Sequence, residues 1–153
     1  MVMRFVFLVL FSCINLVLFS QRSNYYEVLN KGNKQQLLNT IDNLPNTGSL
    51  NLKKAYTGAL YCKLASFHVN VADKVRDFKK GAELLEKAIA IEPMNTELRF
   101  LRLTIQENAP PILRYNSNIS NDCMWIKSTL DKQTIELKLI ITNYAKSSRK
   151  LVL

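Results

Sequence analysis

Apolar positions at helical spacing run through most of this chain, and residues 77–106 carry the strongest such pattern. Phe78, Ala82, Leu85 and Ile89 follow one another at steps of four, three and four, with Ala88 beside them, which draws one stripe along a helix. Pro93 lacks the amide hydrogen that a helix interior needs, so this helix stops at Ile91 or Glu92. Asn95 or Thr96 offers a capping oxygen to the next helix, which presents Leu98, Leu101 and Ile105 with Phe100 and Leu103 on their flanks. Neither helix can bury its own stripe, so neighbouring elements must cover both.

The flanking segments supply those neighbours. Tyr25 to Leu29 reads as a short first helix, ending where Gly32 can take the left-handed C-cap conformation. Asn33 and Gln36 have capping-box spacing ahead of Leu37, Leu38, Ile41 and Leu44, and Pro45, Asn46, Thr47 and Gly48 mark a turn. Leu52, Tyr56, Leu60, Leu64, Phe67 and Val71 then recur at helical steps, with Ala55 and Ala59 letting a partner helix come close. This helix is expected to fray over residues 70–74, where Asp73 or Asp77 caps its successor. Pro110 and Pro111 enforce an extended exit after Asn108, and the loop that follows lays Leu113 and Tyr115 onto the end of the bundle. Asn118 or Ser120 caps a helix with Cys123, Met124, Trp125 and Ile126, and Asp131 caps a last one in which Leu137, Ile140, Ile141 and Tyr144 align. Residues 137–141 can be drawn as a strand, but Lys138 and the spacing fit a helix better. The expected fold class is all-α, with helical hairpins stacked as a repeat array or collapsed into a compact bundle. They make one domain over residues 23–146, with residues 147–153 as a frayed basic tail.

The N-terminus changes the setting. Arg4 precedes an apolar run from Phe5 to Phe19, and small Ser20 stands before polar Gln21, the layout of a secretory signal peptide over residues 1–20. Cys13 follows Ser12, as in a lipoprotein signal, but bulky Phe11 and the apolar residues beyond Cys13 fit that layout less well. The expected location is therefore the periplasm or cell envelope. Cys62 and Cys123 would then meet an oxidising compartment, yet both fall in helices, which favours two buried thiols over a disulfide.

Charge and chemistry add less. The chain has 21 Lys and Arg against 12 Asp and Glu, a formal +9, and setting Arg4 aside leaves +8. The basic residues are dispersed without interleaved aromatics, so nucleic acid is not the expected partner. A protein partner is expected, and peripheral contact with an anionic envelope component, a lipid headgroup or polysaccharide, is the alternative. His68 is the only histidine and no orienting carboxylate can be assigned to it, so no catalytic residue is named and the chain is not expected to be an enzyme. No metal or cofactor set has the required ligand density or glycine-rich loop. Glu83 and Lys87 are helix decoration at i,i+4 spacing. The segment from Arg99 to Tyr115 offers a candidate ligand or partner surface at Arg99, Arg102, Gln106, Asn108, Arg114 and Tyr115, of which the first five, with Glu107, are expected to be exposed around the double proline. A purely structural account has Gln106 or Asn108 capping carbonyls and Arg114 paired with Glu107.

The central helix resembles the second helix of a tetratricopeptide repeat. Phe78 stands at its aromatic position, Leu85 and Ala88 at the large and small packing positions, and Pro93 at the terminal proline, while Gly81 replaces the usual alanine. The preceding helix lacks the repeat's tryptophan and glycine spacing, so the resemblance implies one degenerate repeat with part of another. Residues 84–110 with Leu113, Arg114, Tyr115 and a helix containing Asp122 also resemble a family of exported proteins from Bacteroidetes-type bacteria. That resemblance implies helical architecture and export, and it transfers no activity and no site.

Overall fold

The computed structural model describes residues 21–44 and 49–153, and every regular element among them is helical. The helices are α1 (residues 21–31), α2 (Lys34–Asp42), α3 (Leu50–Leu64), α4 (Val71–Ile91), α5 (Thr96–Asn108), α6 (Ile119–Thr129) and α7 (Ile135–Ala145). Single 3-10 turns occupy Ala65–Phe67, Pro111–Leu113 and Leu130–Lys132. The expected signal peptide and the turn at residues 45–48 lie outside the described residues.

Short polar side chains set the helix starts. Asn33 makes the full capping box with Gln36, and Ser49, Asn70, Asn95 and Thr134 each accept from an amide of the first turn. Two of these correct the sequence reading. Asn70, not Asp73 or Asp77, begins α4, so no frayed gap precedes it. Thr134, not Asp131, begins α7, because Asp131 lies within a 3-10 turn. Asn118 holds the N-cap position of α6 but makes no side-chain cap bond. Gly32 is selected by space and not by a left-handed φ: its amide donates to Val28 O at 2.8 Å, and a Cβ would lie 2.5 Å from that same oxygen.

α3 and α4 form a tight hairpin. At its closest point a Cβ on Gly58 would sit 2.6 Å from the carbonyl oxygen of Gly81, and a Cβ on Gly81 would strike the Gly58 carbonyl in return. The backbones therefore touch at a pair of glycines. Phe67 and Val71 leave the expected stripe and are exposed, since α3 ends at Leu64 and the chain turns away.

α5 lies across this hairpin and packs on α3, α4 and α6. It is enclosed almost all round: Thr96 to Leu98 and Phe100 to Gln106 are buried, including Arg102 and Gln106. α1 closes the core with an aromatic cluster in which Tyr25 stacks on Tyr56 at 3.9 Å and Tyr26 meets both Tyr25 and Phe100.

Within the expected frayed tail, residues 148–151 are held against the core. Leu151 is fully buried, the Ser148 hydroxyl accepts from its amide at 2.8 Å, and Cys123 donates to Lys150 O. Glu107 at the end of α5 accepts from the Ser148 hydroxyl and the Arg149 amide, so the last turn of the core is tied down by a carboxylate. Cys62 and Cys123 are both buried free thiols, as the helical placement of the two implied.

Candidate functional site

Of the candidate surface residues, Arg99, Arg102 and Tyr115 are held in one network through Asp122 and Glu86. Arg102 is 6% exposed and grips Asp122 with a two-pronged contact, Nε to Oδ2 at 2.7 Å and Nη2 to Oδ1 at 2.8 Å. Its remaining Nη1 reaches Glu86 at 2.9 Å, and Glu86 in turn accepts from the Tyr115 hydroxyl at 2.6 Å. Arg99 donates to Pro93 O at 2.7 Å, touches Asp122 at 3.4 Å and lies 4.8 Å over the ring of Trp125. Burial works against charge on Arg102, but Asp122 and Glu86 outweigh it and raise the guanidinium pKa. The expectation that Arg102 and Gln106 are exposed fails because α6 and the loop before it cover that face of α5. The partner that matters, Asp122, is far along the chain and no local spacing points to it.

The proposed Arg114–Glu107 pair does not form. Glu107 accepts from Tyr144, Ser148 and Arg149, whereas Arg114 is exposed with φ 51°, the one left-handed non-glycine residue among those described. Asn108 bonds back to Thr104 O at 2.8 Å, the carbonyl-capping role the structural account gave it.

A second buried network holds α1. Arg22 bridges Glu97 and Glu136 at 3.4 and 2.9 Å, and Glu97 also accepts from the hydroxyls of Tyr26 and Tyr56. Burial pushes the Glu136 carboxyl above its ordinary range, against the pull of Arg22. The structure also supplies the carboxylate that His68 lacked: Asp77 Oδ2 lies 2.6 Å from His68 Nε2, across the α3–α4 connection. Both of these pairs are non-local, which is why spacing alone missed them. The nearby thiol, Cys62, is turned to Phe78 O, and burial pushes its pKa well above the usual range.

Two recesses flank Pro110, which lines both. The larger, about 960 Å³, lies between α1, the start of α4, the end of α5 and α7, and its walls include Leu29, Val75, Phe78, Ile105, Leu113 and Ile140. Lys31, Lys63 and Lys74 stand on its lining against the single acid Glu27. The smaller, about 670 Å³, lies between the end of α5, the loop after it and α6, and is lined by Gln106, Tyr115, Ser117, Ser120, Lys127 and Lys150 among others. Gln106 and Tyr115 thus face the smaller recess and Asn108 the larger, while Arg99, Arg102 and Arg114 line neither. None of the five lysines of these linings has a carboxylate partner among the described residues.

Among the described residues no group of three metal-ligating side chains converges, and no helix is long and apolar enough to cross a membrane. Compared with known proteins, the chain matches no family model, no curated protein and no solved structure.

Proposed function

We propose that this chain is a non-catalytic binding module of the cell envelope, a tetratricopeptide-repeat-like helical scaffold whose larger recess receives an amphipathic helix of a protein partner. The observation that carries the reading is the recess itself: a cleft of about 960 Å³ with an apolar floor and three lysines against one glutamate on its lining. The floor suits the apolar face of a helix, and the lysines suit an acidic flank on the same helix. The repeat-like reading is supported by the α3–α4 pair. Gly58 of α3 meets Gly81, which stands at the repeat's small-residue position on α4, in backbone contact ahead of Leu85, Ala88 and Pro93.

The test places a photo-crosslinking residue at Ile112, which is 88% exposed on the recess, or at Leu50, which is 72% exposed at the start of α3. In native cells the Ile112 site is expected to give one discrete protein adduct that Val75→Asp abolishes without changing helicity, and the Leu50 site none. Equal labelling from both sites, no adduct at Ile112, or an adduct indifferent to Val75→Asp would overturn the proposal.

A further inference from the structure

We propose that His68 and Asp77 form a pH-dependent clasp on the α3–α4 connection, stiffening one wall of the larger recess when the imidazole is protonated and loosening it when the imidazole is neutral. This concerns the wall and not its occupant, so it stands apart from the protein-partner reading.

Little else ties the connection down. After α3 ends, Ala65 is buried and Phe67 partly so, but Val69 is 97% exposed and Val71 71%. The backbone bonds here are local: His68 N–H donates to Ala65 O at 3.4 Å, and the Ala72 amide donates to the Asn70 cap at 2.7 Å. Among the described residues, the one side-chain hydrogen bond from residues 65–70 into the second turn of α4 joins His68 Nε2 to Asp77 Oδ2, at 2.6 Å. It closes a loop over the whole connection.

The chemistry of that bond changes with pH. A neutral imidazole keeps the contact only as an Nε2–H donor to the carboxylate. Protonation puts a full positive charge on the donor, so Coulomb attraction is added to the hydrogen bond without moving a heavy atom. With side chains 19% and 12% exposed, the pair is screened less than one on the open surface. Asp77 stays ionised through the change: burial opposes its charge, but hydrogen bonds from His68 and Arg76 outweigh it. Arg76 also meets Asp73, yet Asp73, Arg76 and Asp77 all belong to α4, so their pairing carries no tie across the connection. The other ionisable groups nearby are engaged elsewhere. On α3, Cys62 is turned to Phe78 O and Lys63 to Asn30 O of α1; on α4, Lys74 lines the recess and Lys80 lies over the ring of Tyr61. His68 is the only histidine of the chain, and imidazole is the side chain whose charge changes between about pH 5 and 8.

Ala65, Ser66, Val71, Lys74 and Val75 place the connection and the start of α4 on the lining of the larger recess. That wall is therefore held most firmly below the imidazole range and is released as pH rises through it.

The test is hydrogen exchange of the full protein at about pH 5.5 and about pH 8, with each amide rate corrected for its intrinsic pH dependence. The amides of residues 74–78 are expected to be protected about fivefold more at the lower pH, as one added ion pair implies, with those of residues 101–103 in α5 unchanged. His68→Gln keeps a donor without a charge, and Asp77→Asn removes the charged acceptor; in both, the ratio is expected to fall to about one. The Val71 and Val75 methyl signals should shift along the same titration curve as the His68 ring. Equal protection of the parent at the two pH values, a ratio that survives in His68→Gln, or valine methyls that do not follow the His68 ring would overturn the proposal.

Discussion

Asp122 has no exposed surface, and Arg102 and Arg99 both converge on it. A buried pair of this kind stabilises little relative to apolar packing, but breaking it leaves one charge stranded. Asp122→Ala is therefore expected to cost about 3–5 kcal/mol in chemical denaturation, and the joint change Arg102→Met with Asp122→Leu to recover much of that loss. A second residue sets the acid limb of the stability curve. Burial of Asp77 opposes its ionisation, but hydrogen bonds from His68 and Arg76 outweigh it and hold the carboxyl below its ordinary value. Its stabilisation is complete above the unfolded carboxylate pKa of about 4 and disappears as pH falls through the depressed folded value. Thermal melts against pH should show a shallower acid decline in Asp77→Asn than in the parent. Both aspartates were invisible as partners in the sequence, because their arginine and histidine mates come from other turns of the fold.

At the scale of elements, the helices that the apolar pattern marked most clearly are those the structure keeps with the fewest changes. α4 ends and α5 begins where Pro93 and Asn95 place them, since a missing amide and a capping oxygen act locally. The start of α4 was harder to read because Asn70, Asp73 and Asp77 all offer oxygens, and only the path of the turn before α4 selects among them. Burial of Leu151 was beyond periodicity altogether, because it depends on space left by α5 and α6. The Gly58–Gly81 contact gives the element-scale prediction. Gly58→Ala should gain helix propensity in isolation yet destabilise the protein by about 1–3 kcal/mol, because the added methyl meets a carbonyl that cannot move away. A stabilised Gly58→Ala protein in urea denaturation would show that the hairpin can open without penalty.

For the whole molecule, the all-α class was legible and the candidate surface was only half so. The segment from Arg99 to Tyr115 does border two recesses, but its arginines face inward or away, and the cations that line the recesses are lysines from α1, α3, α4, α6 and the C-terminal segment. Composition reported the positive excess without its arrangement. The two thiols offer a global check on packing. Burial raises the pKa of both Cys62 and Cys123, so neither should react with a disulfide reagent in the native protein, and both should react once denaturant is added. Reaction of either before unfolding would show local opening of the α3–α4 hairpin or of the C-terminal segment over α6.

Arg99 above Trp125 has a further, optical consequence. The chain contains a single tryptophan, and a guanidinium charge lies 4.8 Å from its ring centre. Indole emission follows the local electric field, so any displacement of that charge alters its colour. Met124 and Lys127, beside Trp125 on α6, line the smaller recess, whereas no residue of α6 lines the larger. The single tryptophan thus stands beside the lining of one recess and apart from that of the other, with its emission set by the Arg99 contact.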